Sequence, residues 1–150
     1  MAAFLYRLAG EPEFNAGEAP AFVDVNEATP HRDAILWLAA KGISTGFEGP
    51  GGLAEFRPYA EVTRCDMAAF LYRMAGASSP EAQAVFADVD SSTPHRNAIS
   101  WLAGKGVSAG WNEANGSKTF RPYQEIARCD MAAFLHRMAD ADLVNPDLVD

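Results

Sequence analysis

The sequence has little of several features that mark common classes of protein. It contains only two cysteines in 150 residues, too few for a disulfide framework and the wrong number for a zinc site. Its 12 lysine and arginine residues are outnumbered by 20 acidic ones, so the net charge is −8. Nucleic acids and anionic membranes bind basic surfaces, and neither is an expected partner. No apolar run approaches the ~20 residues of a membrane span, so membrane insertion is not expected either.

A repeated stretch organises the chain. Arg64–Ala75 returns almost unchanged as Arg128–Ala139, and the chain opens on part of it, at Met1–Ala9. The apolar residues of the stretch recur at i, i+3, i+4 and i+7, namely at Met67, Phe70, Leu71 and Met74. This spacing predicts an α-helix with one apolar face, and three copies of it predict a repeat protein. The opening residues are therefore expected to form a helix and not a signal peptide.

Each repeat is also expected to carry a helix before this one. Thr29 and Pro30 suit an N-cap and a first helical position, and Gly42 suits the left-handed residue that ends a helix. Thr63, followed three residues later by Asp66, predicts a shortened capping box for the next helix. The predicted helices cover about 1–9, 30–41, 63–75 and 127–139, and the pattern of 22–65 recurs 64 residues further on.

The repeats divide the chain into six segments. These are the final helix of a truncated first repeat (1–10), a linker (11–21), a full repeat (22–76), a second linker (77–85), a second full repeat (86–139) and an acidic tail (140–150) that we expect to fray. The expected fold class is all-α, with tandem helix-loop-helix repeats and only very short extended segments in the loops. Because no single repeat can bury its apolar face alone, the helices are expected to pack together. The residues expected to be mostly buried are Phe4, Leu5, Phe70, Leu71, Phe134 and Leu135.

Several of these segments resemble the S-layer homology (SLH) repeat. The shared pattern lies at Phe22–Val25, Ala34–Ile43, Gly46, Phe56–Pro58 and Val62–Arg64, and each piece recurs 64 residues on. The combination is specific because all the pieces occur twice in the same order. The sequences of residues 29–31 and 64–71 resemble the variant of this repeat that is seen in actinobacterial surface proteins.

The resemblance implies a pseudo-threefold helical bundle and a non-catalytic module that anchors a surface protein to the cell wall without a covalent bond. The implied partner is a cell-wall polysaccharide or peptidoglycan-linked glycan, often a pyruvylated and therefore anionic secondary polymer. An upstream repeat or domain of the full-length protein is a second implied partner, and the implied location is extracellular, at the cell wall. No cofactor or metal is implied. The alternative is a helical repeat module that mediates protein–protein interaction at the cell surface.

Two arginines, Arg64 and Arg128, are the main candidate ligand contacts. Both lie in the first turn of a predicted helix, where a cation opposes the helix dipole. Such a placement, repeated twice, favours a task such as holding a carboxylate through two parallel hydrogen bonds. A structural salt bridge to Asp24, Asp66 or another carboxylate is the alternative. With the loop glycines and neighbouring polar residues that the family pattern adds, the expected ligand-binding set is Arg64, Arg128, Asp66, Asp130, Gly46, Gly110 and Trp111.

The remaining aromatic residues and the cysteines have simpler interpretations. Phe47 and Trp111 follow a loop glycine and could stack on a sugar ring, although core packing under the loop is favoured for both. Trp37 and Trp101 are expected in the core. The two cysteines, Cys65 and Cys129, are expected to be free and largely buried, since equivalent positions of a threefold arrangement rarely point at each other.

A hydrolase-like pattern also occurs twice. Gly42–Gly46 and Gly106–Gly110 both read G-x-S-x-G, but the nucleophile elbow of a hydrolase needs a strand before it and a helix after it. Here a helix is predicted before the pattern and a loop after it. Three histidines could serve as bases, namely His31, His95 and His136. His31 and His95, however, are expected in the first turns of helices, where nothing would orient them. No enzymatic activity and no catalytic residue are therefore expected.

Overall fold

The computed structural model describes residues 1–78 and 86–149. Its α-helices are α1 (Ala2–Leu8), α2 (Arg32–Ala40), α3 (Arg64–Met74), α4 (Arg96–Gly104) and α5 (Arg128–Asp140). Its strands are β1 (Phe47–Glu48), β2 (Ala54–Glu55), β3 (Trp111–Asn112) and β4 (Lys118–Thr119), paired as two antiparallel hairpins. The predicted helices are confirmed to within about two residues at each end. The expected all-α fold is thus confirmed only in part: helix is the main regular structure of the described chain, and each repeat adds one very short two-stranded sheet.

The chain forms two compact units. The first comprises Met1–Ala60 together with the segment from Asn145, and the second comprises Glu61–Val144. Helix α1 packs on α2 in the first unit, and α3 packs on α4 in the second. Each unit therefore joins the last helix of one sequence repeat to the first helix of the next. The pseudo-threefold arrangement of the repeats remains a prediction.

The two helix pairs have equivalent cores. Trp37 and Trp101 are buried, as expected, and each is contacted by a tyrosine of the preceding helix. The ring of Tyr6 lies 5.2 Å from that of Trp37, and the ring of Tyr72 lies 5.8 Å from that of Trp101. Contact between a buried tryptophan and a half-buried tyrosine thus helps to fix how each helix pair packs.

The expected burial of the repeated helix is only partly confirmed. Leu5, Leu71 and Phe134 are buried, and Phe70 and Leu135 are half-buried. Phe4, however, is 48% exposed, and the prediction for it is wrong. Helix α1 buries the face that carries Ala2, Leu5 and Ala9, and Phe4 lies off that face because it follows the first buried residue by only two positions.

Helices α2 and α4 begin two residues later than Thr29 and Pro30 predicted. The hydroxyl of Thr29 accepts a hydrogen bond from the N–H of Asn26 (3.0 Å) and closes a turn before the helix. The residue before α2 is His31, in the left-handed region with φ 58°, and its counterpart His95 has φ 56°. In contrast, the predicted cap of α3 is confirmed: the Thr63 hydroxyl accepts from the N–H of Asp66 at 3.2 Å.

Two segments expected to lack regular structure form short turns. Ala16–Glu18, in the predicted linker 11–21, is a 3₁₀ turn. In the acidic tail, the Asn145 side chain caps a second 3₁₀ turn, Pro146–Leu148, and Leu148 is buried. The expectation that this tail frays is therefore wrong, because an apolar side chain and a cap hold it. The predicted linker 77–85 lies mostly outside the described residues.

Candidate functional site

The first candidate ligand contact, Arg64, is enclosed by the second repeat. Its side chain is 3% exposed, and its Nη1 lies 3.0 Å from Oδ2 of Asp130. Its Nε donates to the carbonyl oxygen of Phe120 (2.9 Å), and the guanidinium carbon lies 4.0 Å from the centre of the Trp111 ring. Burial lowers the pKa of Arg64 to about 10, although Asp130 acts in the opposite direction. Arg64 therefore forms a structural salt bridge, which was the alternative to ligand binding that the sequence left open.

The second candidate, Arg128, has a different environment. It is exposed, and no hydrogen bond or ion pair joins it to any residue in the described ranges. The neighbouring cysteines differ in burial in the same way as the two arginines. Cys65 is buried, and burial raises the pKa of its thiol, whereas Cys129 is exposed. The expectation that both thiols are buried is wrong for Cys129, because no segment within residues 1–78 and 86–149 covers the start of α5 as the start of α3 is covered.

The aromatic residues after the loop glycines, Phe47 and Trp111, make cation–π contacts with arginines. The guanidinium carbon of Arg121 lies 4.6 Å from the centre of the Trp111 ring, so that ring contacts two cations. In the first repeat, Arg57 lies 4.6 Å from the centre of the Phe47 ring. Phe47 is 47% exposed, so the favoured core-packing interpretation is wrong for it, since its strand is an exposed hairpin rather than a segment under the loop.

The two loop glycines, Gly46 and Gly110, have a packing role. Both have positive φ angles. A Cβ atom at Gly46 would collide with the ring of Phe22, and one at Gly110 would collide with the ring of Phe86. These glycines let an aromatic ring lie directly against the backbone, which explains their recurrence without a ligand.

Asp66 belongs to a small polar cluster at the start of α3. Its Oδ2 accepts from the Thr63 hydroxyl at 2.6 Å, and its Oδ1 lies 3.6 Å from Nε2 of His95. The His95 ring does most to lower the pKa of Asp66; burial opposes this effect, and Thr63 adds to the lowering. Asp66 is thus placed to orient His95 at the start of α4.

His95 lines one of two equivalent clefts. In the first unit a cleft of about 510 Å³ lies between α1 and α2, and in the second unit a cleft of about 370 Å³ lies between α3 and α4. The α1–α2 cleft is lined by Ala3, Tyr6, Arg7, Glu11, Glu27, His31, Arg32, Asp33 and Ala34. The α3–α4 cleft is lined by Ala69, Tyr72, Arg73, Ser91, Thr93, His95, Arg96, Asn97 and Ala98. The two clefts share their alanine, tyrosine, arginine and histidine positions.

The α1–α2 cleft neutralises its own cations. Nε of Arg7 lies 3.3 Å from Oε1 of Glu11, and Nη1 of Arg32 lies 3.4 Å from Oδ1 of Asp33. Glu27 adds a third carboxylate to this lining. Three carboxylates thus face two guanidinium groups.

The α3–α4 cleft has lost these carboxylates. Ser91 and Asn97 stand where Glu27 and Asp33 stand in the other cleft. Ala77 occupies the position of Glu11. The backbone shows the equivalence, because the N–H of Ala77 donates to the carbonyl of Tyr72 (3.1 Å) and that of Glu11 to the carbonyl of Tyr6 (3.0 Å). The lining of this cleft keeps Arg96 and His95 but includes no carboxylate among its described residues. None of the expected ligand-binding residues lines this cleft. Its only signal in the sequence is the acid-to-neutral replacement between the aligned repeats.

Other chemistry has little support in the described part of the chain. Ser44 and Ser108 of the two G-x-S-x-G patterns are buried, and the Ser44 N–H bonds back to the last turn of α2, so neither pattern forms a strand-turn-helix elbow. Over residues 1–78 and 86–149, no cluster of three or more metal-ligating side chains occurs. No helix of these residues is long and apolar enough to cross a membrane.

Fold and clefts together define a helical tandem-repeat module. The family model of the S-layer homology domain matches residues 21–68 and 85–132. These ranges span more than half of the chain, which therefore belongs to the S-layer homology domain family. A search of curated proteins finds no match. Domains of this family are non-catalytic cell-wall anchoring modules, bind cell-wall polysaccharides in general and are associated with the cell surface.

Proposed function

We propose that this chain binds an anionic cell-wall polysaccharide in the α3–α4 cleft and so attaches a surface protein to the wall from outside the cell. The observation that carries the proposal is the environment of one arginine in that cleft, Arg96. Arg96 is exposed and pairs with no carboxylate in the described ranges, whereas its counterpart Arg32 is paired with Asp33. An arginine without a carboxylate partner is suited to hold an acidic sugar through two parallel hydrogen bonds.

The net charge of −8 limits how a polyanion can approach. Charges farther apart than about 8–10 Å are largely screened in physiological salt, so the attraction has to come from the cleft itself. Tyr72 lines the cleft beside the cations and offers a ring edge to a sugar. His95, oriented by Asp66, offers a further hydrogen-bond donor.

In this proposal the residues of the expected ligand-binding set have different roles. Arg64, Asp130, Trp111 and the two loop glycines shape the repeat and act on the ligand only through it. Asp66 is a positioning residue for His95. Contact of Arg128 with the wall glycan remains a prediction.

The test is co-sedimentation with purified cell-wall sacculi, with and without their attached polysaccharide. Arg96→Gln should weaken binding by roughly tenfold or more, since it removes a charge-assisted hydrogen bond. The double variant Ser91→Glu with Asn97→Asp, which recreates the acidic lining of the other cleft, should weaken it further. Arg32→Gln is the matched control and should bind like the parent chain.

Two results would contradict the proposal. Equal binding to sacculi stripped of polysaccharide would favour the alternative, a module that binds a surface protein. Equal binding by Arg96→Gln and the parent would place the glycan site elsewhere. Circular dichroism of each variant checks that lost binding is not lost fold.

A further inference from the structure

The start of α3 is covered by the segment that follows β4. The N–H of Arg64 donates to the carbonyl of Gln124, and that of Cys65 donates to the carbonyl of Pro122, both at 2.9 Å. The first four N–H groups of a helix have no partner within the helix. Two of the four in α3 are therefore satisfied by this segment, and the Thr63 hydroxyl satisfies that of Asp66.

The same segment covers the Arg64 side chain. The guanidinium lies over the rings of Trp111 and Phe120, at 4.0 and 5.0 Å from their centres. Backbone and side chain thus bind one surface, which we call the second hairpin edge: Trp111 together with residues 120–124. This edge leaves Arg64 and Cys65 buried.

The start of α5 repeats these residues without a cover. Ala127, Arg128 and Cys129 are all exposed. Within the described ranges, the N–H groups of Arg128, Cys129 and Asp130 have no acceptor, and Ala127 has no side chain that could cap them. The start of α5 is therefore an uncovered copy of the start of α3.

The first repeat carries an uncovered copy of the hairpin edge. We call it the first hairpin edge: Phe47 together with residues 56–60. Asp24 accepts from the N–H groups of Phe56 and Arg57, at 2.8 and 2.6 Å, and the φ angle of Arg57 is 59°.

The second hairpin edge is built in the same way. Asp88 accepts from the N–H groups of Phe120 and Arg121, both at 2.7 Å, and the φ angle of Arg121 is 58°. Both edges therefore turn their backbone carbonyls alike. They differ in burial: Phe120 is fully buried, whereas Phe56 and Pro58 are partly exposed and Phe47 is 47% exposed.

We propose that the start of α5 in one copy of the chain docks on the first hairpin edge of a second copy. The contact would reproduce the one that covers α3. The Arg128 guanidinium would lie over the rings of Phe47 and Phe56, and the N–H groups of Arg128 and Cys129 would donate to the carbonyls of Ala60 and Pro58. Because the two surfaces differ, the association is head-to-tail, and each dimer keeps one surface of each kind free.

Sedimentation velocity over a concentration series tests this proposal. The parent chain should show a sedimentation coefficient that rises with concentration. Arg128→Asp removes the cation of the α5 start, Phe47→Asp removes the apolar part of the first hairpin edge, and each should remain monomeric. Leu53→Ser is the matched control, since Leu53 is an exposed apolar residue of the same hairpin (55% exposed) that lies outside the first hairpin edge; it should associate like the parent.

Mixing the two monomeric variants sharpens the test. Arg128→Asp keeps an intact hairpin edge and Phe47→Asp keeps an intact α5 start, so the mixture should form heterodimers but no larger species. A symmetric interface that uses one patch twice would give no heterodimer, and that result would overturn the proposal.

The exposed thiol supplies an independent readout. In the docked state Cys129 takes the buried position of Cys65, so its alkylation by iodoacetamide should slow several-fold as the parent chain is concentrated. A monomeric mass at all concentrations, with a constant alkylation rate, would refute the association. The contact uses none of the residues that line the α3–α4 cleft, so glycan binding and self-association can fail separately.

Discussion

Helices α3 and α5 begin with the same eight residues, yet their first turns have opposite environments. In α3 the arginine and cysteine are buried; in α5 their counterparts are exposed. The helix sequence cannot produce this difference, because it is identical over these eight residues. What differs is the segment that packs on the first turn, and this shows that a repeated residue can be structural in one copy and free in the next.

The largest expected difference between the two helices concerns their arginines. Arg64→Ala leaves Asp130 and the Phe120 carbonyl without their donor, and breaking a buried ion pair costs about 3–5 kcal/mol. Because the Asp130 side chain is 38% exposed, we expect a loss of about 3 kcal/mol in the free energy of unfolding. Arg128→Ala should change it by no more than about 0.5 kcal/mol.

Urea unfolding followed by tryptophan fluorescence, at a concentration where the chain is monomeric, measures both values. Equal losses for the two variants would mean that the starts of α3 and α5 are equally packed in solution. Arg64→Gln is a useful control, because its amide can still donate to the Phe120 carbonyl, and it should lose less than Arg64→Ala.

A smaller effect is expected from exchanging the helix caps. The Thr63 hydroxyl caps α3, and Thr63→Ala should reduce the free energy of unfolding by about 1 kcal/mol. Helix α5 has Ala127 at the same position and no side-chain cap, so Ala127→Thr should add up to about 1 kcal/mol. Thermal unfolding of the single variants and of the double exchange measures the difference. A destabilised Ala127→Thr would indicate that the α5 start cannot adopt the capped geometry.

Much of the fold could be predicted from the sequence, because it depends on local periodicity. The 3.6-residue spacing of apolar side chains located α3 and α5 to within about two residues. The capping pattern also identified Thr63 as the N-cap of α3. The start of α2 could not be predicted in the same way. There the Thr29 hydroxyl accepts a hydrogen bond from the N–H of Asn26 and closes a turn, instead of capping the helix. A threonine can do either, and the sequence alone does not distinguish the two roles.

The candidate site could be predicted less well, because it depends on which residues meet across helices. The sequence drew attention to Arg64 and Arg128, whose position in a first turn is unusual. Whether such an arginine is enclosed depends on a hairpin more than 40 residues away along the chain. The α3–α4 cleft is a product of helix packing as well, and only the replacement of Glu27 and Asp33 by neutral residues in the second repeat signals its charge.

The smallest expected effect concerns the acid dependence of the α3 start. The pKa of Asp66 is lowered in the folded chain, chiefly by His95. The unfolded chain therefore binds the proton more tightly, and the stabilisation by Asp66 is present above an ordinary carboxyl pKa of ~4 and is lost as pH falls through the lower folded value. Asp66→Asn should cost about 0.5 kcal/mol at neutral pH, since both side chains are about one-third exposed, and almost nothing in strong acid. Urea unfolding across pH measures this, and in a His95→Ala background the difference between Asp66→Asn and its parent should depend less on pH. Curves for Asp66→Asn and the parent that run parallel from neutral pH into acid would show that the carboxylate of Asp66 is not stabilised by its neighbours.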